Sequence, residues 1–141
     1  EHFRLDCPGQ APVPLGSIPI VIGGGRPRML ALVRRHADWW NVHIGMAHRV
    51  DELRDQVGDA RVSIQQMVAL VPVGGDRDAI VEAAERRFGY ARPVIGTGPE
   101  LVDHFGRLGA QGIERVYTWF CDFAPPETLT AFGENVIAQL H

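Results

Sequence analysis

Short apolar runs alternate along this chain with longer stretches in which apolar residues recur every three or four positions. The first run, Ile18-Pro-Ile-Val-Ile22, stops at three glycines, as a buried parallel strand does. Pro27 suits the first turn of a helix, and Met29, Leu30, Leu32, Val33 and Ala37 then follow a 3.6-residue period. Trp39 to Val42 predicts a second strand. Val50, Leu53, Val57 and Ala60 predict one face of a second helix, whose other face carries Arg49, Asp51, Glu52, Arg54 and Asp55. Arg61 to Val71 is rich in β-branched residues and predicts a third strand. Gly74 and Gly75 turn the chain, and Asp76 is placed to cap a helix with Ile80, Ala83, Ala84 and Phe88 inward. Glu82 and Arg86, four apart, pair weakly on its exterior. Thr97 and Glu100 have capping-box spacing with Pro99 just inside the next helix, which buries Leu101, Phe105 and Leu108 and ends at Gly109 or Gly112. The last strand is Arg115 to Cys121. The last helix runs from about Pro125 to Leu140 with Leu129, Phe132, Val136 and Leu140 inward.

Strands alternating with amphipathic helices imply parallel βαβ units. Four such units, one with an extra helix, make half of a (β/α)8 barrel, which needs about 250 residues in full. The expectation is one α/β domain over 1–141, with an extended lead-in over 1–17 and the four units over 18–141. A doubly wound open sheet has the same periodicity. The 141 residues are 45% hydrophobic and 22% charged, the balance of a globular domain, and the net charge of −3 provides no field to gather nucleic acid or an anionic membrane. All 14 basic residues are arginine, so Schiff-base chemistry on a lysine is excluded. Cys7 and Cys121 form no C-x-x-C pair, which points to a reducing cytoplasm rather than a disulfide framework. No apolar stretch is long enough to span a membrane. The first residues, EHFRL, read as if cut from a longer sequence.

The strongest local signal is IPIVIGGGRPRM over 18–29. Glycines between a strand and a helix let backbone N–H groups converge at a positive helix end, where phosphate binds well, and Arg26 and Arg28 add charge. A tight turn that needs glycine only for its backbone angles is an equal reading. A dinucleotide fingerprint fits poorly, because its third glycine would fall on Arg28.

The order EHFRLD, P-x-P, then IPIVIGGGRPRMLALVRRHADWWNV resembles the middle of the luciferase-like flavin and deazaflavin oxidoreductases. Val94-Ile-Gly-Thr-Gly-Pro-Glu100 is similar to that family's V-G-T-P-E-E helix start, and GAQGIERVYTW over 109–119 to its A-G-V-D-R-V run into the final barrel strand. The resemblance covers nearly the whole chain in the family's order. It implies the C-terminal half of a barrel that binds FMN or a deazaflavin coenzyme of the F-420 type. Gly23, Gly24, Gly25, Arg26 and Met29 would hold the cofactor phosphate, and Trp40, Asn41 and Asp122 would line the cofactor or substrate pocket. It implies a small-molecule substrate and a flavin or deazaflavin reductase serving the parent enzyme, while the uncovered inner face and unpaired edges of a half-barrel lead to an expected association of copies. Trp39 stands where the family has glycine, and Gly98 is inserted between threonine and proline. The family's acid–base residue lies in strands that precede this segment, so the catalytic residues are unknown and the isolated chain is expected to be inactive. Two other readings stay open, a non-catalytic self-associating half-barrel and an unrelated phosphate-binding α/β module.

Of the remaining candidates, Asp122 is somewhat better placed to cap the last helix than to touch substrate, and Trp40 and Trp119 suit packing. His36, His43, His48 and His104 lack metal-ligand spacing. No G-x-S-x-G elbow exists. Cys121 beside a carboxylate makes a poor nucleophile, because that neighbour raises its pKa.

Overall fold

The computed structural model describes Asp6, Gly9 and residues 11–140. The EHFRL segment and Cys7 lie outside the described residues. Five parallel strands form one sheet: β1 (Val21–Gly23), β2 (Trp39–His43), β3 (Arg61–Leu70), β4 (Val94–Gly96) and β5 (Arg115–Phe120). The order is β1-β2-β3-β4, with β5 also paired to β3. Backbone alternation explains how β3 serves three neighbours. The N–H groups of Arg61 and Val71 donate to Asp38 and Gly96, so odd positions face β2 and then β4. The carbonyls of Val62 and Val68 accept from Glu114 and Cys121, so even positions face β5. This is the parallel strand–helix architecture of half a (β/α)8 barrel.

Successive side chains of a strand point to opposite faces, and in-register partners share a face. Ile22, Trp40, Val62, Ile64 and Val68 point to one face, where α1 (Pro27–His36), α4 (Gly98–Ala110) and α5 (Pro126–Asn135) supply Leu30, Val33, Leu101, Phe105, Leu108 and Phe132. That layer is the main core. The other face carries Trp39, Asn41, Ser63, Gln65, Met67, Tyr117 and Trp119. Its upper end is covered by α3 (Arg77–Phe88), whose Ala84 packs with Met67, Ala69 and Cys121. The helix after the third strand thus lies on the face opposite the other helices.

Several expectations change. The first strand starts at Val21 rather than Ile18. Pro19 has no N–H to give a ladder, and Ile18 and Ile20 stay exposed. Ile20 is nonetheless tied down, donating its N–H to Asp38 Oδ2 at 2.7 Å. The single helix expected around Val50 is a chain of short turns: a 3-10 segment Ile44–Arg49, α2 (Val50–Leu53) and a second 3-10 segment Arg54–Gln56. Val50, Leu53, Val57 and Ala60 are buried as expected. Spacings of three and four over one or two turns satisfy either helix type, so burial alone does not distinguish them. Strand β4 was not expected, since three residues are too few to show a period. In the final element Phe132 and Val136 point inward, but Leu129 and Leu140 are exposed, and the α-helix stops at Asn135 before a 3-10 turn over Ile137–Gln139. This helix lies over β5, an edge strand, so its outer side has no layer to pack against.

The capping box is present: the Thr97 N–H and hydroxyl donate to Glu100 Oε2 at 2.7 and 3.1 Å. The same oxygen accepts from Arg77 Nη1 at 2.8 Å, joining the N-terminal turns of α3 and α4. The Arg77 guanidinium, followed by the two Thr97 donors, lowers the Glu100 pKa from 4.5 to about 2. A depressed carboxyl stabilises the fold above its unfolded pKa and loses that contribution as pH falls through the folded value. Wild-type protein is therefore expected to lose melting temperature between pH 4.5 and about 2 more steeply than Glu100→Gln. Parallel melting curves across that range would count against this role.

Candidate functional site

Functional groups in barrels gather where strands end, and the chain has a cleft of about 370 Å³ there. It is lined by Gly23, Gly24, Asn41, Val42, His43, Ile44, Gln65, Met67, Phe88, Tyr90, Ala91 and Trp119. The sheet register explains the grouping. Gly23, Asn41 and Ser63 form one row across β1, β2 and β3, and His43, Gln65 and Tyr117 form the next row across β2, β3 and β5. Met67 and Trp119 form a third. Gly23 has no side chain, which leaves the β1 end of the first row open.

Polar groups in the first two rows are oriented by second contacts. Ser63 is fully buried, and its hydroxyl donates to Asn41 Oδ1 at 3.2 Å. The Gly45 N–H donates to His43 Nδ1 at 3.1 Å. At the floor of this face, the guanidiniums of Arg61 and Arg115 both lie against the Trp39 ring, 4.3 and 3.8 Å from its centroid. Trp39, 4% exposed, closes the lower end of the sheet.

The glycine turn runs from β1 into α1. Gly24 has φ +123, a value that favours glycine, and a Cβ there would meet Met29 at 3.1 Å. The Gly24 carbonyl accepts from Trp40 Nε1 at 2.7 Å. Trp40 is fully buried on the helix side of the sheet and fixes the turn from beneath. The N–H groups of Gly25, Arg26 and Arg28 have no acceptor among the described residues, and no acidic residue sits in the first turn of α1. Arg26 and Arg28 are exposed. Gly25 lies directly beneath the Met46 thioether, so a side chain there would collide with it.

The sequence-derived residues fall in three places. Gly23, Gly24 and Asn41 meet in the cleft, while Arg26 and Met29 continue from the same turn. Trp40 supports the turn from the opposite face. Asp122 lies in a separate cleft of about 240 Å³, with Arg87, Cys121 and Thr128. It accepts from the Ala124 N–H at 3.0 Å and the Thr128 hydroxyl at 2.6 Å, fastening the bend before α5. Burial first, then the Asp122 carboxylate, raises the Cys121 pKa. Sequence reasoning missed His43, Gln65 and Met67 as cleft residues and assigned Trp119 to packing, yet its side chain is 58% exposed. Their shared odd positions were visible in the sequence, but the pairing that aligns the strands was not.

No family model matches the chain, and no curated protein matches it. Among solved structures it is similar to an F420-dependent secondary alcohol dehydrogenase in complex with an F420-acetone adduct, with a TM-score of 0.64 at 14% identity. The match covers 89% of this chain and 50% of that chain. The protein thus spans about half the length of the enzyme it resembles, and the likeness is one of fold. No described helix is long and apolar enough to cross a membrane.

Proposed function

We propose that the chain is the C-terminal part of a deazaflavin-dependent oxidoreductase acting on a small molecule, with the glycine turn holding the cofactor phosphate. The observation that carries this reading is the glycine turn itself. It combines N–H donors without an acceptor among the described residues at the start of a ten-residue helix, two exposed arginines and a flanking cleft at the strand ends. The fold likeness to an F420-dependent enzyme favours deazaflavin over FMN.

The residues fit such a group. Gly25, Arg26 and Arg28 would donate backbone N–H to phosphate, the arginine side chains would add charge-assisted contacts, and Asn41 would lie on the ring side of the turn. A bound deazaflavin supplies hydride transfer. The chain's own part is to anchor it, to orient it along β1 and β2, and to set Met67, Phe88 and Trp119 as apolar surface against one side of it. Copies of the chain would associate through the open sheet face, where Val21 and Trp119 are exposed.

Gly24→Val is the test. A β-branched residue at φ +123, with its Cβ 3.1 Å from Met29, distorts the turn. Binding of the phosphorylated deazaflavin coenzyme, read by calorimetry, is expected to fall by at least about tenfold, roughly 1.4 kcal/mol. Unchanged affinity in a folded variant removes the phosphate from this turn.

A further inference from the structure

The two side chains that β2 turns into the cleft are preset as hydrogen-bond donors. The fully buried Ser63 hydroxyl needs an acceptor, and Asn41 Oδ1 is that acceptor at 3.2 Å. This commits the amide orientation: Oδ1 is taken up from behind, and the Nδ2 group remains for the cleft. His43 Nδ1 accepts from the Gly45 N–H at 3.1 Å, so a neutral His43 carries its proton on Nε2. Neither Asn41 Nδ2 nor His43 Nε2 has a partner among the described residues. Both residues line the cleft, two positions apart on the same face of one strand. Among the described residues, Tyr90 is the one titratable group lining it apart from His43, and no carboxylate does. The rest of the lining is largely apolar and partly aromatic: Met67 and Trp119 in the next row of the same sheet face, and Phe88 at the end of α3.

From this we propose that Asn41 Nδ2 and His43 Nε2 form a two-donor site for the carbonyl oxygens of a flat, apolar ligand lying against Trp119 and Met67. A carbonyl only accepts, so it matches donors whose own acceptor atoms are already used. A hydroxyl also brings a proton, for which His43 keeps no acceptor and Asn41 only the second lone pair of an oxygen already held by Ser63. The site discriminates by oxidation state, favouring a ketone over the matching alcohol. Two sources supply such a carbonyl, the ring of the cofactor or an oxidised substrate. The inference rests on the reading of the cleft as a cofactor and substrate site, but it does not need phosphate at the glycine turn.

The experiment uses the 141-residue chain, labelled with 15N, and phosphate-free probes: acetophenone, its alcohol 1-phenylethanol, and 5-deazariboflavin. The 15N shifts of His43 are expected to report a proton on Nε2 in the neutral form. Acetophenone or 5-deazariboflavin is expected to move the Asn41 side-chain amide and His43 Nε2 signals, and the responding probe identifies the source. 1-Phenylethanol is expected to bind at least about fivefold more weakly than acetophenone. Asn41→Asp, which keeps an acceptor for Ser63 but removes the donor, is expected to weaken the responding probe about tenfold while the amide fingerprint stays native. A proton on Nδ1, equal binding of ketone and alcohol, undiminished binding to Asn41→Asp, or no response to either carbonyl probe each overturns the proposal. The probes carry no phosphate, so their failure leaves the Gly24→Val result standing. Failure of that variant likewise leaves this site standing.

Discussion

The 141-residue chain, assayed with reduced deazaflavin and small ketones, is expected to show no turnover above the background of cofactor without protein. Orientation is worth much of a catalysed reaction, with effective molarities corresponding to about 7–11 kcal/mol for well-held groups. That gain requires reacting groups fixed to within a fraction of an ångström by packed surroundings. The cleft does not meet this requirement. Its donors and Trp119 lie on one face of the sheet, and Trp119 and Tyr90 are largely exposed, 58% and 86% respectively. A ring placed there meets the sheet on one face and water on the other. The match to half of a larger enzyme fits this, because the remaining strands of such a barrel would supply the second wall. A stopped-flow assay following cofactor absorbance, with product measured in parallel, checks the expectation. Coupled turnover at enzymatic rates would show that this chain holds a complete site, and the half-barrel reading of its function would fall.

Trp40→Ala is expected to produce the largest loss of stability among truncations of the buried side chains to alanine. Trp40 is the bulkiest of the fully buried side chains and packs in the main core between sheet and helices. Truncating a buried tryptophan to alanine costs about 3–5 kcal/mol through lost burial and the cavity left behind. For a domain of this size that corresponds to a fall in melting temperature on the order of 10 °C or more. The change also removes the 2.7 Å hydrogen bond from Nε1 to the Gly24 carbonyl, freeing the glycine turn. Trp40→Phe separates the two effects. It keeps much of the apolar volume and loses the hydrogen bond, so it is expected to cost only about 1–2 kcal/mol. Calorimetric melting of both variants is the check. A Trp40→Ala protein melting within two or three degrees of wild type would show that Trp40 is not the keystone of this layer.

Local patterning specified much of the architecture. The apolar runs at Trp39–Val42, Arg61–Val71 and Arg115–Cys121 became parallel strands, and Pro27, Asp76 and Thr97 each mark a helix start where proline chemistry or side-chain capping favours one. These signals act over one or two turns of chain, which is why a single sequence contains them. The glycine turn was legible for the same reason: strand, three glycines, arginine and proline are contiguous, and their backbone requirements are local.

Which face each helix covers was decided elsewhere. The apolar positions of α3 give a period but no direction, and only the packing of Ala84 on Met67, Ala69 and Cys121 places it opposite α1, α4 and α5. The site divides along the same line. Asn41, His43, Gln65 and Trp119 come from three strands up to 78 positions apart in number, so the cleft exists only once β2, β3 and β5 pair in register. Asp122, a sequence candidate alongside Asn41, was moved by the bend after β5 into a different cleft and fastened to Thr128. The sequence by itself determined the strands, the helix starts and the turn, because their causes lie within a few bonds. The tertiary structure decided which side chains share a cleft and which atoms of Asn41 and His43 remain free, because those depend on partners that only folding brings near.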